Sequence, residues 1–182
     1  MPFFYDLLVG FMGSILASLV FLYYVLSYLR PKIVISPFIA NYPDIDTINH
    51  PNENRFYFKI VNKSNHDAYE IRLRLCELIR WPAGNGKMHE RRVDLKLRRD
   101  FQSHIPKYKK LKSTDTFAPH ALVIICEANL DPILSDQNKC VELQVILRHG
   151  LTGLAKVYKY EFGDNNVVKK KPFGFGDTLT IP

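Results

Sequence analysis

Hydrophobic and polar positions divide the chain into two regions. The run from Leu7 to Leu29 contains no charged residue, and it stops at Arg30. As an α-helix this run spans about 34 Å, which is longer than the ~30 Å hydrocarbon core of a bilayer. The pattern predicts a transmembrane anchor over residues 1–32, followed by a polar domain over residues 33–182.

The residues on either side of the apolar run indicate whether it is cleaved and how it is oriented. Asp6 is the only charged residue before it, whereas Arg30 and Lys32 follow it. A cleaved signal peptide has a basic start, a shorter apolar stretch and a small-residue cleavage site. We therefore expect an uncleaved single-pass anchor. Because basic flanks favour the cytoplasmic side, the N-terminus is predicted outside and the C-terminal domain in the cytoplasm.

The polar domain alternates apolar and polar residues with a period of two. In the run from Tyr69 to Arg80, Ile71 and Leu73 share one face and Arg72 and Arg74 the other. This alternation is typical of a half-buried antiparallel strand. After an extended segment over 33–40, strands are predicted over 55–62, 69–80, 93–98, 120–128, 141–147, 154–162 and 176–181, with loops over 41–54, 82–86, 99–119 and 150–153. Short strands with regular turns, and no convincing helix in the polar domain, indicate a mainly β fold built as a β-sandwich.

Three segments of the chain carry a family resemblance. They are the helix exit LVFLYYVLSYLRPK with the SPF that follows, the strand–turn–strand RFYFKIVNKSNHDAYEIRLRLCEL, and LVIICEANLDPILSD with the later VELQVILRHGLTGLAKVYKYEF. In this order they resemble the pore-lining second helix and cytoplasmic domain of inward-rectifier potassium channels, over about residues 10–181. The resemblance implies an immunoglobulin-like antiparallel sandwich that, in the family, assembles as a four-fold ring under the membrane.

The sequence also departs from that family. It contains no Thr-x-Gly-Tyr-Gly filter, and we expect neither the family's first transmembrane helix nor its pore helix. Filter carbonyls replace the hydration shell of potassium, so we do not expect selective potassium conduction by this chain alone. The family's polar rectification position falls near Ala17 and its hinge glycine near Leu22. Polyamine block and hinge gating are therefore not expected.

One face of the predicted helix is lined with small residues. Gly10, Ser14 and Ser18 recur at four-residue spacing, with Gly13 and Ala17 beside them. Small residues let helix backbones approach closely, and serine hydroxyls can hydrogen-bond between helices. This face predicts a homo-oligomer, in which Ser14 and Ser18 could line a narrow polar path. The alternative is that Gly and Ser are simply tolerated in a membrane span.

Basic residues outnumber acidic ones, 25 Lys and Arg against 18 Asp and Glu. Arg30 and Lys32 match positions that meet anionic lipid headgroups in the resembled family, and each would gain about 1 kcal/mol at such a surface. A basic surface is predicted from Lys107, Lys109, Lys110, Lys112, Lys169, Lys170 and Lys171. Beside a membrane anchor, we interpret it as a face that complements anionic lipid rather than nucleic acid. A soluble anionic ligand, such as a nucleotide, stays open.

Residue types that carry catalysis are present without the spacing that catalysis needs. The six histidines are scattered with no H-x-x-x-H pair, and His120, which borders an apolar strand, is expected to be a capping or core residue. Cys76, Cys126 and Cys140 are odd in number with no Cys-x-x-Cys, which favours reduced, buried thiols. The sequence contains no phosphate-binding glycine loop and no Gly-x-Ser-x-Gly elbow. We therefore expect no enzyme activity, no cofactor and no metal site.

Two functions fit these features. The first is an oligomeric membrane protein whose cytoplasmic domain responds to a ligand or a partner, acting as a channel-like effector or a regulatory subunit. The second is a passive membrane-anchored adaptor that binds another protein through its sandwich and conducts no ions. The small-residue helix face favours the first. The absent filter and the bulky Phe21, Tyr23 and Tyr24, which would plug a narrow bundle, favour the second.

Overall fold

The structure, a computed structural model, describes residues 2–28, 31–43, 54–148, 155–163 and 167–181. It divides into two compact units, Met1–Arg30 and Pro31–Pro182. The predicted turn over 150–153 and residues 44–53 of the predicted loop lie outside the described residues.

The first unit is one helix, α1 (Pro2–Tyr28). Its segment Phe4–Val25 is long and apolar enough to cross a membrane, which confirms the predicted apolar helix. The described side chains from Phe4 to Tyr24 are all exposed. The helix begins earlier than the predicted span because proline is favoured at a first helical position and the aromatic residues after it continue the apolar run.

Among the described residues, the second unit contains ten strands and one short α-helix. They are β1 (Ile33–Ile35), β2 (Ile39–Pro43), β3 (Asn54–Asn62), β4 (Ala68–Gly84), β5 (Lys87–Leu95), β6 (Phe101–Ile105), β7 (Ala121–Cys126), α2 (Asp131–Leu134), β8 (Lys139–Arg148), β9 (Ala155–Phe162) and β10 (Val168–Lys169). This arrangement confirms the predicted mainly β fold.

The strands form two sheets that pack as a β-sandwich. In sheet A, β3 pairs with β7 on one edge and with β1 and then β2 on the other, and β10 adds to β2. In sheet B the order is β5-β4-β8-β9, with β6 pairing the first half of the long β4. All of these pairs are antiparallel except β2 with β10, which is parallel over a two-residue register.

The core lies between the two sheets. Phe58 of β3 and Phe162 of β9 are both fully buried, and their rings meet edge to face with centroids 5.3 Å apart. Ile71 and Leu75 of β4, and Leu143 of β8, fill the same layer. β3 is buried on both of its faces from Phe56 to Val61, so something also covers the outer face of sheet A.

The hairpin between β4 and β5 confirms the predicted turn over 82–86. Asn85 and Gly86 form the two-residue turn, with φ of 51° and 73°. Positive φ at both central positions is the geometry of the tight hairpin turn that suits strand twist, and Asn-Gly is its preferred pair. The register shifts between Pro82 and Gly84 because the bulge there absorbs an extra residue.

Five local predictions were wrong. The strand predicted over 93–98 is β5, which begins at Lys87 and ends at Leu95. Phe101–Ile105 is a strand within the predicted basic loop, and Asn41–Pro43 belongs to β2 rather than to a loop. The short helix Asp131–Leu134 was not predicted. The predicted last strand over 176–181 is irregular, and β10 takes its place as the final strand. Gly176 has φ of 66°, and this left-handed conformation interrupts an extended chain.

Candidate functional site

The small residues of α1 form an open face. Gly10, Gly13, Ser14, Ala17 and Ser18 are all exposed, and a Cβ added at either glycine would meet nothing within 4 Å. The Ser18 hydroxyl donates to the Ser14 carbonyl oxygen at 2.8 Å. Because this bond lies within the helix, Ser18 can face an apolar environment without leaving an unsatisfied hydrogen-bond donor.

The chain joins the sandwich at one end, which we name the proximal end. Pro31 is buried, and its carbonyl oxygen accepts a hydrogen bond from the Tyr158 hydroxyl of β9. The carbonyl oxygen of Lys32 accepts from the Lys63 N–H at 2.8 Å, while the Lys32 side chain is exposed. Arg30, the other predicted lipid-contact residue, lies outside the described residues.

The first predicted basic group begins at this proximal end. The Tyr108 N–H donates to the Ser64 carbonyl oxygen at 2.9 Å, and the Lys107 N–H donates to Asp67 Oδ1 at 2.7 Å. The structure thus places the start of the segment beside the turn that holds Lys32. The lysines of this segment are exposed, and they are Lys107, Lys109, Lys110 and Lys112.

A buried amide holds that segment in place. Asn62 is fully buried, and its Nδ2 donates to the carbonyl oxygens of His66 at 2.9 Å and Pro106 at 3.0 Å. Its Oδ1 accepts from the Ser64 N–H at 3.1 Å. Buried polar groups of this kind are costly unless they are paired, so the bonds fix the loop that carries the lysines.

The second predicted basic group lies against a different element. Lys169 is on β10, and its ammonium lies 5.7 Å from the ring centre of Phe38, in the bend between β1 and β2. Lys170 and Lys171 follow it and are exposed. The sequence predicted one basic surface, and the described contacts distribute its members over two parts of the sandwich.

Residues 173–181 form a segment that we name the C-terminal strap. It is held by hydrogen bonds from Lys59 Nζ to the Gly174 carbonyl oxygen at 2.8 Å, from the Asp177 N–H to the Ser113 carbonyl oxygen at 2.9 Å, and from Ser36 Oγ to the Leu179 carbonyl oxygen at 2.7 Å. Together with the Phe173 ring, whose centre lies 5.7 Å from the Lys59 ammonium, these bonds place the strap over Lys59 on the outer face of β3. It also ties the bend after β1 to the loop after β6.

A charged cluster fastens the centre of the strap. Asp177 pairs with Lys63, whose ammonium lies 4.7 Å from the ring centre of Tyr108. His120 is fully buried, with Nε2 3.8 Å from Asp177 Oδ2. Neither ring nitrogen of His120 forms a hydrogen bond with the residues that the structure describes. The position confirms His120 as a core histidine.

The electrostatics of the cluster follow from burial. Burial lowers the pKa of His120, with Asp177 opposing this and Lys63 reinforcing it. Burial also raises the pKa of Asp177, but the bond and charge of Lys63 outweigh it and the net pKa is lowered. For Lys59 burial lowers the pKa, against the charge of Asp177. The ion pair of Lys63 with Asp177 thus attaches the strap to the turn after β3.

An open groove of about 690 Å³ lies along the strap on the outer face of sheet A. Its walls include Tyr42 and Tyr57, whose rings stack 4.0 Å apart, and the exposed rings of Phe117 and Phe175. Lys59 also lines it but is only 3% exposed. The groove therefore offers a mostly apolar surface with several aromatic rings and one shielded cation, which suits an apolar side chain better than an anion.

The outer face of sheet B carries a charge network. Arg74 Nε lies 2.7 Å from Asp94 Oδ1, and Arg92 Nε lies 3.5 Å from Oε1 of the buried Glu142. Cys76 is buried beneath this network, and its pKa is raised to about 11 by burial, followed by the hydrogen bond to Asp94. A thiol of that pKa is almost wholly protonated at neutral pH, so it is a poor nucleophile.

Metal-ligating side chains do not gather in the described part of the chain. No group of three or more His, Cys, Asp or Glu residues there could hold a metal ion. The three cysteines are free and buried. The predicted scatter of histidines includes His50 and His149, which lie outside the described residues.

Comparisons with known proteins add no relative. No protein-family model matches the chain, and no curated protein matches it either. The likeness to inward-rectifier channels remains a prediction that rests on the quoted motifs.

Sequence reasoning missed the residues that hold the strap. Lys59, Ser36 and Asp177 carry it, and none was singled out. One signal for them exists, because Lys59 stands inside the otherwise apolar run FYFKIV, where a buried lysine needs a partner from elsewhere in the chain. Nothing in the sequence indicates that Gly174 supplies that partner.

Proposed function

We propose that the chain is a single-pass membrane protein whose helix spans the bilayer and whose sandwich lies in the cytoplasm. The observation that carries this proposal is the exposed apolar helix Phe4–Val25. In water an exposed helix of this kind would be very costly, whereas in a bilayer its surface is matched by lipid tails. Arg30 and Lys32 support the cytoplasmic orientation of the sandwich by the positive-inside rule.

The charges at the proximal end support a proposed contact with anionic lipid. Lys32 and the segment from Lys107 carry exposed ammonium groups close to where the chain enters the sandwich. Each basic side chain near an anionic leaflet gains about 1 kcal/mol. We infer that this end of the sandwich faces lipid headgroups, together with Arg30.

The function we propose is an oligomeric effector or regulatory subunit, channel-like in organisation, that responds to a ligand or partner. The open face with Gly10, Ser14 and Ser18 supports helix association. The strap supports a response, because its bond to Ser36 ties it to the bend directly after β1. A ligand that favours one position of the strap would shift the population of positions available to residues 31–35.

The first test is ion flux from liposomes that contain the full-length protein. The control is Ser14→Leu with Ser18→Leu, which fills the proposed path without adding charge. Flux that the control abolishes would support a pore-forming oligomer. Absence of flux from folded, inserted protein would reject conduction and favour the adaptor.

Association of the helix is tested separately by chemical crosslinking. Gly10→Leu with Ser14→Leu adds bulk to the small-residue face, so we expect the crosslinked ladder to disappear. The matched control is Met12→Leu with Leu19→Met, which conserves volume on the opposite side of the helix. An unchanged ladder in the first variant would reject packing through this face.

Two further measurements address the anchor itself. The intact mass of membrane-extracted protein should correspond to the full 21.1 kDa chain, whereas a signal sequence would leave a smaller product. A C-terminal tag should be digested by protease only from the cytoplasmic side of sealed vesicles. Protection of the tag on that side would overturn the orientation.

The second candidate function, a membrane-anchored adaptor, is favoured by one specific observation. Strand β7 has an edge that is only partly covered by the described chain. Exposed sheet edges pair readily with segments of other proteins. Binding of a partner without any flux would select this function.

A further inference from the structure

One edge of strand β7 is half covered. The Arg98 N–H donates to the Ile125 carbonyl oxygen at 2.9 Å, and the Glu127 N–H donates to the Lys96 carbonyl oxygen at 3.0 Å. These bonds identify the outward edge, because the N–H and C=O of one strand residue point the same way and successive residues alternate. The N–H and C=O of Val123 therefore also point outward. No strand of the described chain pairs with them there.

The opposite edge of β7 confirms this assignment. Leu122 and Ile124 stand opposite Ile60 and Phe58 in the β3 register. The Asn62 N–H of β3 donates to the His120 carbonyl oxygen at 2.9 Å, which continues the same alternation. Even-numbered residues of β7 are thus used by β3, and the odd-numbered Val123 is left for a further strand.

A cleft borders this edge on one side. It holds about 220 Å³ between β7 and the segment that joins β5 to β6, and Leu73 and Ile124 lie among its lining residues. Arg99, Phe101 and Gln102 line it as well. Arg99 and Phe101 are exposed, so the cleft offers an accessible cation beside the apolar side chains of Leu73 and Ile124.

The aromatic groove borders the same edge on its other side. Phe117 and Phe175, which are 90% and 71% exposed, line that groove with Val123. A strand added at Val123 would direct successive side chains alternately into the cleft and into the groove. Glutamate suits the cleft, because its methylenes can lie on Leu73 while its carboxylate reaches Arg99. An apolar side chain suits the groove.

We propose that the β7 edge binds an extended segment of a partner protein in which acidic and apolar residues alternate, by addition of a strand at Val123. The net charge of +7 also favours an acidic partner. A second copy of this chain fits less well, since pairing through the same edge would bring two sets of Arg98 and Arg99 to one seam. The inference rests on the proposed partner-responsive function and supplies the chemistry of the partner.

The test uses the full-length protein in detergent micelles and a fluorescein-labelled octapeptide of four Val-Glu repeats. Fluorescence anisotropy should detect saturable binding, and amide hydrogen exchange at Val123 should slow when the peptide is bound. A Val-Lys octapeptide should bind at least tenfold more weakly. The Val-Glu peptide with N-methyl groups on its four central residues should also lose at least tenfold, since it cannot donate to a sheet edge.

Matched variants locate the site. Arg99→Glu should weaken binding about fivefold or more, whereas Arg91→Glu, an exposed change on β5, should alter it less than twofold. Val123→Pro removes the edge N–H and should abolish binding, whereas Val123→Thr keeps the N–H and should bind normally. If Val123→Pro fails to fold, the N-methylated peptide and the Arg99→Glu variant still test the proposal.

Several results would overturn the proposal. The first is that the Val-Lys or the N-methylated peptide binds as tightly as the Val-Glu peptide, and the second is that Arg99→Glu leaves binding unchanged. The third is a dimer of the protein that Val123→Pro dissociates but that the Val-Glu peptide does not displace. None of these measurements involves ion flux. Failure here therefore leaves the flux experiment intact, and absence of flux does not affect peptide binding.

Discussion

Replacement of Gly176 by alanine should detach the C-terminal strap. An alanine Cβ at this position would lie 1.8 Å from the Ser113 carbonyl oxygen, which is a backbone atom and cannot rotate away. The φ of 66° is also a conformation that side chains other than glycine adopt at a cost. The strap or the Ser113 loop must therefore move.

The expected change in the free energy of unfolding follows from the interactions that this movement breaks. A left-handed alanine costs about 1–2 kcal/mol. Loss of the Asp177 N–H bond to Ser113 costs about 1 kcal/mol, and weakening of the partly exposed pair of Asp177 with Lys63 costs about 1 kcal/mol more. The loss cannot exceed the net free energy that holds the strap on the sandwich, because a released strap regains the backbone entropy that it loses on ordering. We expect the free energy of unfolding to fall by about 2–4 kcal/mol.

The assay combines urea unfolding with amide hydrogen exchange of residues 173–181. The matched control is Gly174→Ala, where the added Cβ would lie 3.2 Å from Thr178 Cγ2, the end of a rotatable side chain. We expect the control to lose less than about 1 kcal/mol. In Gly176→Ala the strap amides should exchange rapidly, and Lys59 should become accessible to amine-reactive reagents.

The reasoning would be refuted by a Gly176→Ala protein that unfolds within about 0.5 kcal/mol of Gly174→Ala and keeps its strap protected. Such a result would mean that the Ser113 loop adapts without loss. The strap would then be too loosely coupled to transmit a signal to Ser36.

Two further predictions concern the core of the sandwich. The folded-state pKa of His120 lies below its unfolded value of about 6.5, so the folded state is fully stabilised above that pH and loses stability as the pH falls below it. Between pH 7.5 and pH 5.5, urea unfolding should show a larger fall in the free energy of unfolding for the natural protein than for His120→Gln. Equal falls in the two proteins would contradict the burial argument. Phe58→Ala should lower the free energy of unfolding by about 3–5 kcal/mol, because Phe58 is fully buried against Phe162. The control Phe117→Ala changes a 90% exposed ring, so its free energy of unfolding should stay within about 0.5 kcal/mol of the natural protein. Similar losses in both variants would argue against the shared core.

The sequence by itself determined the elements that have a local physical signal. An uninterrupted apolar run of helical length can only be satisfied by lipid or a large core, which is why α1 was predictable. The alternation of Ile71 and Leu73 with Arg72 and Arg74 identified β4, and Asn85-Gly86 identified its turn. Each of these signals lies within a few consecutive residues.

Boundaries and short elements were less predictable because their partners are distant in the chain. β6 exists because residues 101–105 pair with the first half of β4, and its own sequence FQSHI has little apolar pattern. Residues 176–181 look extended in sequence, but Gly176 adopts a left-handed conformation to fit against Ser113. Local pattern cannot report a contact that is made more than sixty residues away along the chain.

The candidate sites divide in the same way. Spacing alone predicted the small-residue face of α1, and charge alone predicted the basic residues. The tertiary structure decided that Lys107 starts beside Lys32 while Lys169 lies at Phe38, and that Lys59 is buried under the strap. It also decided that the outward groups of Val123 lack a described strand partner. An open edge depends on which strands stop short, and that follows from packing of the whole sandwich rather than from any residue of β7.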